Sequence, residues 1–136
     1  MTRKLTIPCS KSKLADIRTF VNDILMENHM PELESHKIVL AIDEVCANLI
    51  IHSNNCDPGE RLELLVDFRK GDQVSFVIRD RGVSFDLSRY QEPSMDEIIA
   101  SKRKGGLGLM LVKRIMDKIE FTTENNYNIC RLIKKL

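Results

Sequence analysis

The sequence predicts an α+β fold, a two-layer sandwich in which a largely antiparallel mixed sheet carries its helices on one face. Three observations predict it. Short runs alternate apolar and polar residues at the strand period: RKLTIP (3–8), RLELLVDFR (61–69), QVSFVIRD (73–80), IEFTTE (119–124) and YNICRLIKK (127–135). Two stretches between the first and second of these runs repeat apolar residues at helical spacing instead. Lys70-Gly71-Asp72 then joins two of the strands as a hairpin turn, since glycine tolerates positive φ, and a second hairpin turns around Asn125-Asn126.

Taken in order, Leu5 and Ile7 set the alternation of a first strand that Pro8 and the serines after it bring to an end. Leu14, Ile17, Val21, Ile24 and Leu25 make one face of a helix over residues 12–28. Pro31 opens a second helix that runs to His52, because proline fixes φ and its missing N–H is not needed in a first turn. After the first hairpin, Ser94-x-x-Glu97 forms a capping box for a short helix over 95–102. A glycine cluster leads into a last helix over 107–118, and the second hairpin closes the chain.

Composition narrows the function classes. A chain of 136 residues suits a single domain, residues 1–136, with length enough to bury a core. Hydrophobic residues at 43% and charged residues at 30% describe an ordinary globular protein. A net charge of +1 gives no electrostatic basis for direct nucleic-acid binding. No apolar run approaches the length of a membrane span, and no signal-peptide pattern is present. Cys9, Cys46, Cys56 and Cys130 are scattered without a Cys-x-x-Cys pair, and they read as reduced thiols of a cytoplasmic protein.

Three motifs stand in fixed order: Glu44-x-x-x-Asn48, Asp80-x-Gly82 and Gly105-Gly106-Leu107-Gly108. With Glu44 at zero on a helical wheel, Asn48 falls at about 40°, while Ile38, Ile42, Val45 and Leu49 lie between about 100° and 160°. The acid and the amide therefore share a strip at the margin of the core-facing surface. Residues four apart stack on one face, so the two side chains are neighbours. Asp80 continues the alternation of Val74, Phe76 and Ile78 and points toward the core, where a carboxylate needs a donor. The exocyclic amine of adenine is a suitable one. Gly82 lets the backbone approach a base, and Phe85 can close over it. The glycine cluster, with Lys102, Arg103 and Lys104 before it, offers backbone N–H groups at the positive end of a helix. It is neither a P-loop nor a dinucleotide fingerprint.

In this order and spacing, the motifs resemble the N, G1 and G2 boxes of the GHKL (Bergerat-fold) ATPases, the superfamily of gyrase B, the histidine kinases and MutL. Within it, "DEVCANLIIHS", "RDRGVSFDLS" and "KGGLGLMLVKRIMD" are most similar to the bacterial anti-sigma factor serine/threonine kinases. The resemblance covers nearly the whole chain. It implies that Asn48 ligates Mg²⁺ and that Glu44 acts as general base or orienting group for the attacking hydroxyl. It implies that Asp80 binds the adenine amino group with Gly82 beside the base. Gly105, Gly106, Leu107 and Gly108 would wrap the phosphates of ATP, with Lys104 as a charge partner. Ser84 departs from the pattern, standing where many members carry a second glycine.

The implied activity is ATP-dependent phosphorylation of a small anti-anti-sigma protein, with sequestration of a sigma factor by a homodimer. A nucleotide-gated binding module without kinase activity is the alternative from another class. A histidine-kinase-like ATPase domain fits less well, because His29, His36 and His52 lack the setting of a phosphoacceptor helix.

Overall fold

The computed structural model describes residues 2–54, 57–82 and 105–136. Along the chain come β1 (Thr2–Pro8), a 3-10 turn (Lys11–Lys13), α1 (Leu14–Glu27), α2 (Glu32–Asn48) and a π-helical turn (Leu49–Ser53). There follow β2 (Arg61–Arg69), β3 (Gln73–Asp80), α3 (Gly105–Ile115), β4 (Lys118–Glu124) and β5 (Tyr127–Lys135). The sheet has strand order β1-β2-β3-β5-β4. Every neighbouring pair among these strands is antiparallel, so the described sheet lacks the parallel component that a mixed one would have.

Alternation along the central strands decides which face is covered. Leu62, Leu64, Val66 and Phe68 of β2 are buried, as are Val74, Phe76 and Ile78 of β3 and Cys130 and Leu132 of β5. The register puts Leu64 opposite Ile78, Val66 opposite Phe76 and Phe76 opposite Leu132, so these residues form one continuous apolar floor. Helices roof it. Ile17, Val21, Ile24 and Leu25 come from α1, and Ile38, Ala41, Ile42, Val45 and Cys46 from α2. Val112 of α3 and the following Met116 complete the core. The helix α2 lies between α1 and α3 in this layer and touches both. No described helix is long and apolar enough to cross a membrane.

The turns follow from local chemistry. Gly71 takes φ 77° in the loop that brings Arg69 opposite Gln73. Asn125 at φ 51° and Asn126 at φ 68° make a two-residue turn between the paired Glu124 and Tyr127. Two positive φ values in succession twist the chain in the sense that antiparallel strands require. Two residues past the end of α1, His29 takes φ 61° and turns the chain away, and the Met30 N–H reaches back to the Leu25 carbonyl at 3.0 Å.

The second and last helices differ from the sequence expectation at both ends. Pro31 is the residue before the first helical one, with ψ 141°, and its carbonyl accepts from the Ser35 N–H at 2.9 Å. The second helix stops as an α-helix at Asn48 and passes into the π turn rather than running on to His52. The last helix spans Gly105–Ile115 instead of 107–118. Its end is drawn back because the Asp117 N–H already pairs with the Ile133 carbonyl at 2.9 Å, which commits Lys118 to β4. The capped helix expected over 95–102 lies outside the described residues.

Phe76 sits at the centre of the floor, fully buried. Phe76→Ala is expected to lower unfolding stability by about 3–5 kcal/mol in urea titrations. Arg18→Ala breaks only the half-exposed bridge to Asp43 (3.0 Å) and is expected to cost less than about 1 kcal/mol.

Candidate nucleotide site

Glu44 and Asn48 lie one turn apart on α2, both half-buried, beside the buried Val45 and Leu49. This is the marginal strip that the wheel predicts. Asn48 Nδ2 is shielded from water and has no hydrogen-bond partner among the described residues. A buried amide donor without an acceptor is costly, which marks this side chain as one that a ligand would satisfy.

Beyond Asn48 the helix changes pitch. The Asn54 N–H bonds to the Leu49 carbonyl at 3.0 Å, a five-residue reach that defines the π turn. The Asn54 side chain, 5% exposed, donates from Nδ2 to the same carbonyl at 2.8 Å. The same nitrogen also donates to Asp80 Oδ2 at 2.9 Å. The residue that terminates the helix therefore also ties it to the end of β3.

Asp80 is 1% exposed and ends the inward row of β3. Its Oδ2 accepts from Asn54 and from the Gly82 N–H at 3.2 Å, while its Oδ1 is buried without a partner among the described residues. The Gly82 carbonyl accepts from Asn128 Nδ2 at 2.7 Å, and Asn128 faces Asp80 across the β3–β5 ladder. On the other face of the same strands, the Tyr127 ring lies against two guanidinium groups. Arg79 Cζ is 4.5 Å and Arg81 Cζ 4.6 Å from its centroid, and Arg81 donates to the phenol oxygen at 2.8 Å. Asp80 is thus braced from both faces of the sheet.

Three thiols line the same interior. Burial pushes the Cys9 thiol up to about 11 and Cys130 up to about 12, and the negative charge of Asp80 adds to both shifts. Cys46 is raised well above the ordinary value, first by burial. All three are free and buried.

The structure brings Asp80 and Gly82 together and leaves Glu44 and Asn48 on one strip of α2. Gly105, Gly106, Leu107 and Gly108 form the opening of α3, where the first turn of any helix leaves its N–H groups without internal acceptors. Phe85 and Lys104 lie outside the described residues. Sequence reasoning missed Asn54 and Asn128. Asn128 was legible, because it shares the inward parity of Cys130 and Leu132 in YNICRLIKK. Asn54 carries no periodic signal.

The donor set suits a nucleotide that brings its own Mg²⁺. Among the described residues no cluster of three His, Cys, Asp or Glu side chains could hold a metal ion. Asn48 offers one amide oxygen, and Mg²⁺ is commonly held by one or two protein oxygens together with phosphates and water.

A family model described as "Histidine kinase-like ATPase domain" matches residues 7–134. Among curated proteins the chain is similar to the serine-protein kinase RsbW of Halalkalibacterium halodurans, 28% identical over 129 residues, covering 91% of this chain and 77% of that protein. It is 24% identical over 131 residues to the RsbW of Bacillus pumilus, covering 93% and 81%. Among solved structures it resembles the RsbU and RsbW domains of a Mycobacterium tuberculosis protein, with a TM-score of 0.68 and 14% identity. That match covers the whole of this chain and 32% of the other. The SiaB–SiaC complex of Pseudomonas aeruginosa gives a TM-score of 0.64 at 12% identity, covering 98% and 89%.

The raised thiols make a prediction with a defined sign. Between the ordinary thiol value near 9 and the folded value of about 11 at Cys9, the folded state holds more protons than the unfolded state. That contribution to stability is fully present below about pH 9 and is lost as pH rises through about 11. In a Cys56→Ser protein, Cys9, Cys46 and Cys130 are expected to resist a thiol reagent at pH 8 until denaturant is added, as read by absorbance.

Proposed function

The chain belongs to the histidine kinase-like ATPase family, and from that premise we propose that it is a Mg²⁺-ATP-dependent serine/threonine protein kinase of the anti-sigma factor type. One observation carries the nucleotide assignment. Asp80 is a buried carboxylate with one oxygen already satisfied and the other without a partner among the described residues, at the seam between the sheet and the helix that bears Glu44 and Asn48. A buried acceptor in that state calls for a donor, and the exocyclic amine of adenine supplies one.

The roles follow from chemistry and from position. Asp80 orients the base, with Gly82 leaving room for it beside the strand end. The amide oxygen of Asn48 holds Mg²⁺, which when bound neutralises phosphate charge. Glu44, one turn before Asn48, accepts the proton of the attacking hydroxyl as the new O–P bond forms and the bond to ADP breaks. Gly105, Gly106, Leu107 and Gly108 present backbone N–H groups to the phosphates, and Lys104 adds a positive charge. Phe85 closes over the base.

The curated relatives named as serine-protein kinases support a protein hydroxyl as the acceptor. On this reading the substrate is a small anti-anti-sigma protein in the cytoplasm. A homodimer of this chain also sequesters a sigma factor on this reading.

Glu44→Ala is expected to slow phosphorylation of the cognate regulator by about 10²–10⁴-fold, while ATP affinity by calorimetry stays within about threefold. Asp80→Ala is expected to weaken ATP at least about tenfold. Unchanged phosphorylation in Glu44→Ala would remove Glu44 as the base, whereas saturable ATP binding with no phosphorylation by the unsubstituted protein would leave the nucleotide as a conformational ligand only.

A further inference from the structure

The reading of Asp80 as the base-binding carboxylate leaves one question open: what decides how many oxygens the base can use. A carboxylate has two oxygens and about four lone-pair positions, and free on both sides it can grip two adjacent N–H groups at once. Guanine presents such a pair, its ring N1–H and its exocyclic amine. Adenine presents a single exocyclic amine beside a ring nitrogen that only accepts.

In this chain one side of the carboxylate is closed. Oδ2 takes Asn54 Nδ2 at 2.9 Å and the Gly82 N–H at 3.2 Å, which fills its lone pairs. The Asn54 side chain cannot swing away cheaply, because the same nitrogen is held by the Leu49 carbonyl at 2.8 Å and the residue is buried. Oδ1 alone remains, buried and without a partner among the described residues. Asn54 Oδ1 is likewise buried without a partner among them, so the unsatisfied atoms found on this pair of side chains are both acceptors.

We infer that Asn54 is a positioning residue that sets base specificity: by occupying Oδ2 it turns Asp80 into a single-point acceptor, which suits a 6-aminopurine and denies a 6-oxopurine its two-point contact. Asn54 acts through Asp80 and does not itself need to touch the base. The inference rests on the nucleotide reading above and adds to it a residue that none of the three motifs contains.

The test compares ATP and GTP, each with Mg²⁺, by calorimetry on the whole chain. Asn54→Leu keeps the branched outline of the side chain but removes the donor. It is expected to narrow the preference for ATP over GTP by at least about tenfold, with weaker ATP and stronger GTP. Asn54→Asp supplies the second arm, which also serves if Asn54→Leu fails to melt cooperatively. Its introduced carboxyl can donate to Oδ2 only while protonated, and its nearness to Asp80 holds the pair's shared proton to higher pH. ATP preference in that variant is expected to approach the unsubstituted protein's at pH 5.5 and to fall as pH rises to 8. The unsubstituted protein is expected to stay flat over that interval. Among the described residues Cys9 and Cys130 sense the charge of Asp80, and both keep their protons throughout it.

An unchanged ATP-to-GTP ratio in folded Asn54→Leu, or a ratio independent of pH in Asn54→Asp, would overturn the role of Asn54 and leave the nucleotide reading standing. Absence of ATP binding in the unsubstituted protein would overturn both.

Discussion

Everything in this site depends on a carboxylate placed where the fold has no water to offer it. The inward row of β3 runs Val74, Phe76, Ile78, Asp80, and strand geometry allows the last member no other direction. A buried negative charge must be met by donors or it destabilises the state that buries it. The described residues provide them on one oxygen only. The shape of the remainder, from the π turn to the pairing of Asn128 with Gly82, follows from that partial settlement.

The bracing is divided between the two faces of the sheet. Inside, polar side chains hold the strand end: Asn54 reaches across from the helix layer, and Asn128 reaches across from β5. Outside, the Tyr127 ring takes Arg79 and Arg81, and Arg79 also pairs with Glu63 at 3.3 Å. The outer contacts are exposed enough that each is worth little alone. Their value is geometric, since they fix the pairing of β3 with β5 at the place where the inner donors must meet Asp80.

Much of this was legible in the sequence because period and turn chemistry agreed. The alternation in β2 and β3 and the spacing in α1 and α2 all pointed to one core. Asn125-Asn126 and Gly71 named their own turns. Glu44, Asn48 and Asp80 could be placed from parity alone, since a strand or helix residue has its direction set by its neighbours. Asn54 could not. It follows a helix end, where no period applies, and an Asn-Asn pair reads as a loop. Its importance arises from a contact 26 positions away, and no local pattern reports such a contact. The start of α3 was misjudged for a related reason. Glycine weakens a helix interior, so a cluster of three reads as the loop before the helix, yet here it forms the first turn.

The π turn has a consequence for how this chain can vary. Leu49–Ser53 spends five residues where an α-helical turn would spend fewer, and the chain leaves it at Asn54, which meets Asp80. Losing one residue here and winding the rest as a regular α-helix would leave Asn54 near its present angle, because the wider turn with its extra residue and the tighter turn without it each complete about one revolution. Gaining one residue has no such compensation and would turn Asn54 by about 100° around the helix axis. That insertion would leave Glu44 and Asn48 undisturbed and strand the carboxylate. The stretch between the helix motif and Asn54 is therefore lopsided in its tolerance. It can accept substitutions or shorten by one residue, but it cannot lengthen.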